Sequence, residues 1–199
     1  STGLTGIQIL DLDDPIHPLV IGTYDDNTTS PKRLCLTGNT LYYGHANGVT
    51  IVDVSDPENP ELLGNMPSHQ IVTDLLVDEG IVYFVTNDPN GQLEGGLFIF
   101  DANQPDNPEL LGSWTVYGDA DLVEKIRNYV YVIDDQPFRK GMHVINVTDP
   151  TEPRREWFWE ADGFDRGLIV IDDFAYVAAR MRFDHQYISM LYTFNVSNP

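Results

Sequence analysis

The chain has one cysteine, few basic residues and no long apolar run, and each shortage narrows what it can do. Cys35 alone excludes an internal disulfide, and its setting in Leu34-Cys35-Leu36 reads as a small core residue, not a nucleophile. Eleven Lys and Arg stand against 31 Asp and Glu, a formal net charge of −20. A polyanion of that size repels nucleic acid and anionic lipid, so neither is an expected partner. Divalent cations, cationic surfaces or a salty medium fit better. Carboxylates in such number also keep a sticky β-protein soluble. No apolar run approaches the roughly 20 residues of a membrane-spanning helix, so membrane insertion is not expected. Ser1 is neither an initiator methionine nor the start of a signal peptide, which reads as a processed chain or an excerpt of a longer one. A Gly-x-Ser-x-Gly elbow is missing, and Ser68, His69 and Asp74 are too scattered to make a triad. Residues 87–96 are glycine-rich but lack the Gly-Lys-Ser/Thr ending of a phosphate loop.

What is present is a repeat. Five times an apolar stretch ends in an acid or amide and then a proline-rich turn, as in Asp53-Val54-Ser55-Asp56-Pro57-Glu58-Asn59-Pro60 and Asp101-Ala102-Asn103-Gln104-Pro105-Asp106-Asn107-Pro108. The first proline recurs at positions 15, 57, 105, 150 and 199, in steps of 42, 48, 45 and 49. A period of forty-odd residues filled with strands is the mark of propeller blades. In each copy the Asp or Asn at 11, 53, 101, 146 or 195 is placed to accept a nearby backbone N–H and pin the strand exit. Tyr42, Tyr83, Tyr131 and Tyr176 occupy equivalent places in a second strand. A polar turn precedes each: Thr37-Gly38-Asn39, Asp78-Glu79-Gly80, Arg127-Asn128 and Asp172-Asp173, where Gly and Asn suit the left-handed backbone of tight hairpins. A glycine opens the third strand at Gly48, Gly96 and Gly141, and Pro60-Glu61-Leu62-Leu63-Gly64, repeated as Pro108-Glu109-Leu110-Leu111-Gly112, opens the fourth. Trp114, Trp157 and Trp159 extend that strand as blade-to-blade packing.

The run Gly48-Val49-Thr50-Ile51-Val52-Asp53-Val54-Ser55-Asp56-Pro57 resembles the repeat of LVIVD-type β-propellers, and with the tyrosine strands the resemblance covers nearly the whole chain. The Trp-Asp signature of WD repeats and the Asp box of sialidase-like propellers do not occur. The resemblance implies a surface or secreted bacterial or archaeal propeller, of a family mostly without assigned activity. Asp74 follows the family pattern, whereas Leu122 and Gly167 stand at its place in later blades, so no role is carried over from it.

The expected fold is therefore all-β, a β-propeller of four-stranded antiparallel blades over residues 1–199, with about four blades in this chain. Complete blades fall near 32–66, 71–116 and 121–160, and partial ones near 4–24 and 166–196. That makes seventeen strands, one more than four blades hold, so the chain is expected to be part of a larger ring of about six to eight blades. The missing blades come from the same or another chain. A closed four-blade ring with one displaced terminal strand is the alternative.

Loops between blades and loops joining second to third strands share one irregular face, which is where function on a rigid scaffold gathers. A protein or glycan ligand is expected there. Asp119, Asp121, Asp162 and Asp165 offer hard oxygen ligands for Ca²⁺, though without the spacing of a calcium loop. His45 and His69, with Asp74, offer a transition-metal set. No cofactor is required by anything in the chain, and no catalytic residue is singled out. The expected function is a non-catalytic binding or assembly module, extracellular or at the cell surface. The alternatives are a hydrolase or lyase with loop carboxylates at the channel mouth, and a structural subunit of a multi-chain assembly.

Overall fold

The computed structural model describes residues 6–25, 31–88, 95–116, 119–135, 140–161, 164–184 and 186–197. Every regular element among them is a strand, and no helix is long and apolar enough to cross a membrane. A two-stranded leading sheet comes first, β1 (Ile7–Asp11) with β2 (Leu19–Tyr24). Blade A holds β3 (Arg33–Thr37), β4 (Thr40–His45), β5 (Gly48–Asp53) and β6 (Glu61–Pro67). Blade B holds β7 (Ile71–Asp78), β8 (Ile81–Asn87), β9 (Gly95–Asp101) and β10 (Glu109–Val116). Blade C holds β11 (Ala120–Ile126), β12 (Tyr129–Asp135), β13 (Lys140–Asn146) and β14 (Arg154–Glu160). Sheet D has three strands, β15 (Phe164–Ile171), β16 (Phe174–Phe183) and β17 (Gln186–Asn195). In every sheet consecutive strands pair antiparallel, the up-and-down meander of a propeller blade. The leading sheet and sheet D are separate, so the two chain ends do not share a blade.

The second strand of each blade is buried on both faces, and its alternating side chains serve opposite neighbours. Tyr43 of β4 turns to the leading sheet, packing with Ile7 and Val52 and meeting the Tyr24 ring edge-on at 6.3 Å. Tyr42 turns the other way, into a cluster with Val72, Leu75 and Phe84 of blade B. Tyr83 and Val85 meet Ala120, Val123 and Val132 of blade C. Tyr131 and Ile133 meet Ala175 and Val177 of sheet D. Four apolar interfaces thus join five sheets in chain order, and each fully buried side chain in them contributes roughly 1.5–3 kcal/mol. Cys35 packs at the edge of the A–B cluster, Trp114 in the B–C cluster and Trp159 in the C–D cluster.

The proline corners are held as their residue types dictate. The side-chain oxygen of Asp11, Asp53, Asp101, Asn146 or Asn195 accepts the backbone N–H two residues on, at 2.8–3.0 Å in all five copies. A second acid three residues later repeats the device at Asp14, Asp56 and Asp149. The fixed corner then docks on its neighbour. Gly22, Gly64 and Gly112 lie against the carbonyl oxygens of Pro57, Pro105 and Pro150, where any Cβ would collide with backbone. A register shift marks the step before each of these glycines, a bulge that twists the fourth strand toward the next corner. In blade C the matching position is Trp157, which instead puts its ring edge-on against Phe194 at 6.0 Å. The hairpin turns differ from expectation in one respect. Left-handed φ falls on Arg127 (52°), ahead of Asn128, and on Glu79 (49°) and Asp172 (53°) as well as Gly38. At Arg127 the guanidinium compensates, donating to Asp173 at 2.7 Å in the next sheet.

Candidate functional site

The loop face is approached by the ends of the second strands. The pairing of β4, β8 and β12 with their third strands makes His45, Thr86 and Asp134 equivalent, and all three are buried. Each is satisfied differently. His45 Nε2 lies 3.1 Å from Thr50 Oγ1 while Nδ1 accepts the Asn47 N–H, so Nε2 carries the proton. The Thr50 hydroxyl passes the chain on to Asn65 Oδ1 at 2.8 Å. The Thr86 hydroxyl donates to Gln70 Oε1 at 2.7 Å. Asp134 faces His143 Nε2 at 3.4 Å. Buried polar groups are tolerated only when so bonded.

His143 was not singled out from the sequence. It sits in β13 between the rings of Trp114 (4.9 Å) and Phe158 (4.5 Å), fully buried beside Asp134. A signal exists once the repeats are aligned: the same third-strand position holds Thr50 in blade A and Phe98 in blade B. A histidine in an otherwise apolar strand, one pleat away from a strand-end aspartate, marks a polar pair built into the blade.

Nearer the axis, three inner strands are tied through one carboxylate. Asp74 of β7 pairs with Arg33 of β3 at 2.9 Å and accepts the N–H groups of Leu75 (3.0 Å) and, across the blade gap, Val123 (3.1 Å). The neighbouring Thr73 hydroxyl donates to the Ala120 carbonyl at 2.5 Å. Burial pushes the Asp74 carboxyl above its usual range, outweighing the Val123 N–H and Arg33. Burial, reinforced by the charge of Asp74, also raises Glu124. The first-strand bulge in β7, β11 and β15 confirms that Leu122 and Gly167 stand where Asp74 does, so this tie is made once.

The residues proposed as ligands fall as follows. His45 and Asp74 belong to the two separate networks above, and His69 is exposed on the loop after Ser68. Asp119 is half-buried just before β11, its carboxyl raised by burial and then by the charges of Asp134 and Asp88. Asp121 is the bulged residue of β11. Asp162 and the side chain of Asp165 lie outside the described residues, so the structure describes two of the four proposed Ca²⁺ ligands. No group of three or more His, Cys, Asp or Glu among the described residues converges as a metal would need. Surface hollows lie instead beneath the proline corners, one lined by Asp101, Asn103, Gln104, Asn107 and Glu109. Those are the residues that hold the turn.

Radially stacked meanders tied by corners and inner-strand contacts define a β-propeller, here an arc of one. Residues 30–67, which enclose blade A, match the LVIVD repeat model, so the arc carries an LVIVD repeat. No curated protein matches the chain. Among solved structures it is similar to a hypothetical selenium-binding protein from Sulfolobus tokodaii, at 12% identity and TM-score 0.72, covering 99% of this chain and 55% of that one. Citrobacter koseri AztD is similar over 96% of this chain and 56% of its own, at 13% identity and TM-score 0.56. The N-terminal domain of Nup159 aligns at 6% identity and TM-score 0.53, over 83% of this chain and 44% of its own. At these identities the likeness is one of fold, and the chain spans about half the length of each of these three structures.

Proposed function

We propose that this chain is a propeller arc working as a binding or assembly module without catalysis, outside the cell or at its surface. Its irregular loop face takes a protein or glycan ligand. One observation carries the reading: the buried polar groups at the loop-face ends of β4, β8 and β12 are bonded by nearby side chains, His45 to Thr50, Thr86 to Gln70 just ahead of β7, and Asp134 to His143. They stiffen a platform from which the loops project. The net charge of −20 favours cationic or neutral ligands over nucleic acid. A protein of similar fold binds a protein partner: in S. cerevisiae, Dbp5 is bound to Nup159. Ca²⁺ held by Asp119, Asp121, Asp162 and Asp165 belongs to the proposal as a loop-ordering ion, not as a catalyst.

The test is surface plasmon resonance of the chain against a glycan array and a panel of neutral and cationic extracellular proteins, with and without 1 mM CaCl₂ (about 1 mM, as for extracellular modules). The expected result is saturable binding to at least one ligand. His69→Ala or Asp119→Ala on the loop face should weaken it about tenfold, about 1.4 kcal/mol, and Asp56→Ala on the turn face should leave it unchanged. Binding that follows the turn-face variant, or none at all, contradicts the reading. Shortening of a bound glycan with time supports the hydrolase or lyase alternative instead.

A further inference from the structure

Propeller interfaces repeat, so each position on an interior blade states what its counterpart at an open end lacks. Leu34 in β3 is equivalent to Leu75 in β7 and Val123 in β11, by their pairing with Tyr43, Phe84 and Val132. Leu75 and Val123 are 6% and 3% exposed because the preceding blade covers them, whereas Leu34 is 58% exposed and Leu36 60%. The counterpart of Leu36 in blade C is Lys125, whose ammonium lies 5.6 Å from the ring centre of Tyr83 in the preceding blade. Leu34 and Leu36 therefore face the place of a preceding second strand and its tyrosine. Among the described residues the leading sheet supplies only the outer half of that blade. β1 and β2 are linked through a proline corner, as third and fourth strands are, and they already pack on Leu41, Tyr43 and Val52. Among the described residues, β1 pairs on one edge only. In the complete blades that other edge is taken by the second strand, β4, β8 or β12.

We propose that the free edge of β1 and the Leu34–Leu36 face of β3 form a slot for a β-hairpin. The occupant has the chain's own first-and-second-strand design and is carried by further blades of the same ring. Its second strand adds to β1 by backbone hydrogen bonds, the general mode of strand addition to an open edge. Its tyrosine, the equivalent of Tyr42, Tyr83 and Tyr131, lands on Leu34 and Leu36. A second copy of this chain is the wrong occupant. Its open end offers β17, which like β1 is a third strand, so the two compete for one place, and two chains of charge −20 repel. The far end repeats the lesson: Leu191 in β17 is 67% exposed where Val49, Leu97 and Met142 are 1%, 0% and 0%. That face awaits a following blade, and it fits the same ring.

The probe is a fluorescein-labelled synthetic peptide of residues 70–88, the β7–β8 hairpin, titrated into the full chain and read by anisotropy. Saturable one-site binding is expected. It should weaken at least tenfold with Leu34→Asp plus Leu36→Asp in the chain, and likewise with Tyr83→Ala in the peptide. Because both leucines are exposed, the double variant should keep the melting temperature of the unmodified chain, which separates a lost slot from a lost fold. Absence of binding overturns the proposal, as does binding indifferent to those substitutions. So does sedimentation that shows a dimer abolished by Leu34→Asp, which would make a second copy the occupant. The slot rests on the fold alone: ligand binding by the loop face, assayed on the same double variant, can fail or succeed independently.

Discussion

Gly64→Val is expected to lower the melting temperature by roughly 10 °C, from a loss of about 3–4 kcal/mol in a domain of this size. The reason is the seat of the proline corner. Pro105 O approaches Gly64 so closely that any side chain collides with backbone, and the corner is itself fixed by Asp101 accepting the Asn103 N–H. Neither partner can rotate away. Relief requires blades A and B to part, which opens the cluster of Tyr42, Val72 and Phe84. Gly112→Val, against Pro150 O, should behave alike. Gly38→Ala is the control: its φ of 58° disfavours a side chain, but nothing lies within 4 Å, so only about 1 kcal/mol is expected. Differential scanning calorimetry of the three variants separates collision from conformational strain.

Asp74→Ala is expected to cost about 2 kcal/mol and to loosen three blades at once. The substitution strands the N–H groups of Val123 and Leu75 and frees Arg33, each buried donor left open costing about 1–3 kcal/mol. The carboxylate's own desolvation, which raises its pKa, offsets part of that loss. Asp74→Asn tests the sign. A raised folded-state pKa means that the native chain holds this proton when the unfolded chain has released it. Between the ordinary value of 3.8 and the raised value, stability therefore falls as pH rises, and above that window the contribution is constant. Asp74→Asn should flatten this part of the melting profile, leaving the same-signed slope from Glu124 and Asp119. Below pH 3.8 the trend reverses, because Asp14, Asp53, Asp56 and Asp149 are held below the ordinary value by their turn hydrogen bonds and lose them on protonation. A profile that rose steadily with pH from 4 to 7 would contradict this assignment.

What was legible in the sequence is what is local. The proline corners were, because Asp53 or Asn146 reaches a donor only two residues away. The phase of the tyrosine strands was also legible, since a strand covered on both faces reads as a continuous apolar run. Less legible was what one blade does to the next. Gly64 and Gly112 were visible as copies, but their use as seats for Pro105 and Pro150 depends on a neighbour some forty residues away. The turn residues also ran against propensity at Arg127, where a guanidinium bond to the next sheet sets the choice over the adjacent Asn128. At the site, the chemistry of His45 and Asp74 is legible from residue type, but their partners Thr50 and Val123 come from strand pairing and blade stacking that no spacing rule encodes. His143 stayed hidden because its partner Asp134 stands on the adjacent strand, one pleat out of register.

Five sheets fan in chain order, with the first and last apart. The most direct measurement is the distance between spin labels at Leu10→Cys in β1 and Leu191→Cys in β17, on a Cys35→Ser background, by double electron–electron resonance. Four steps of about 10 Å between stacked sheets, along a curved path, predict a separation of roughly 30 Å or more. A single population below about 15 Å, as for neighbouring strands or adjoining sheets, would mean that the ends close on each other and would contradict the open arc.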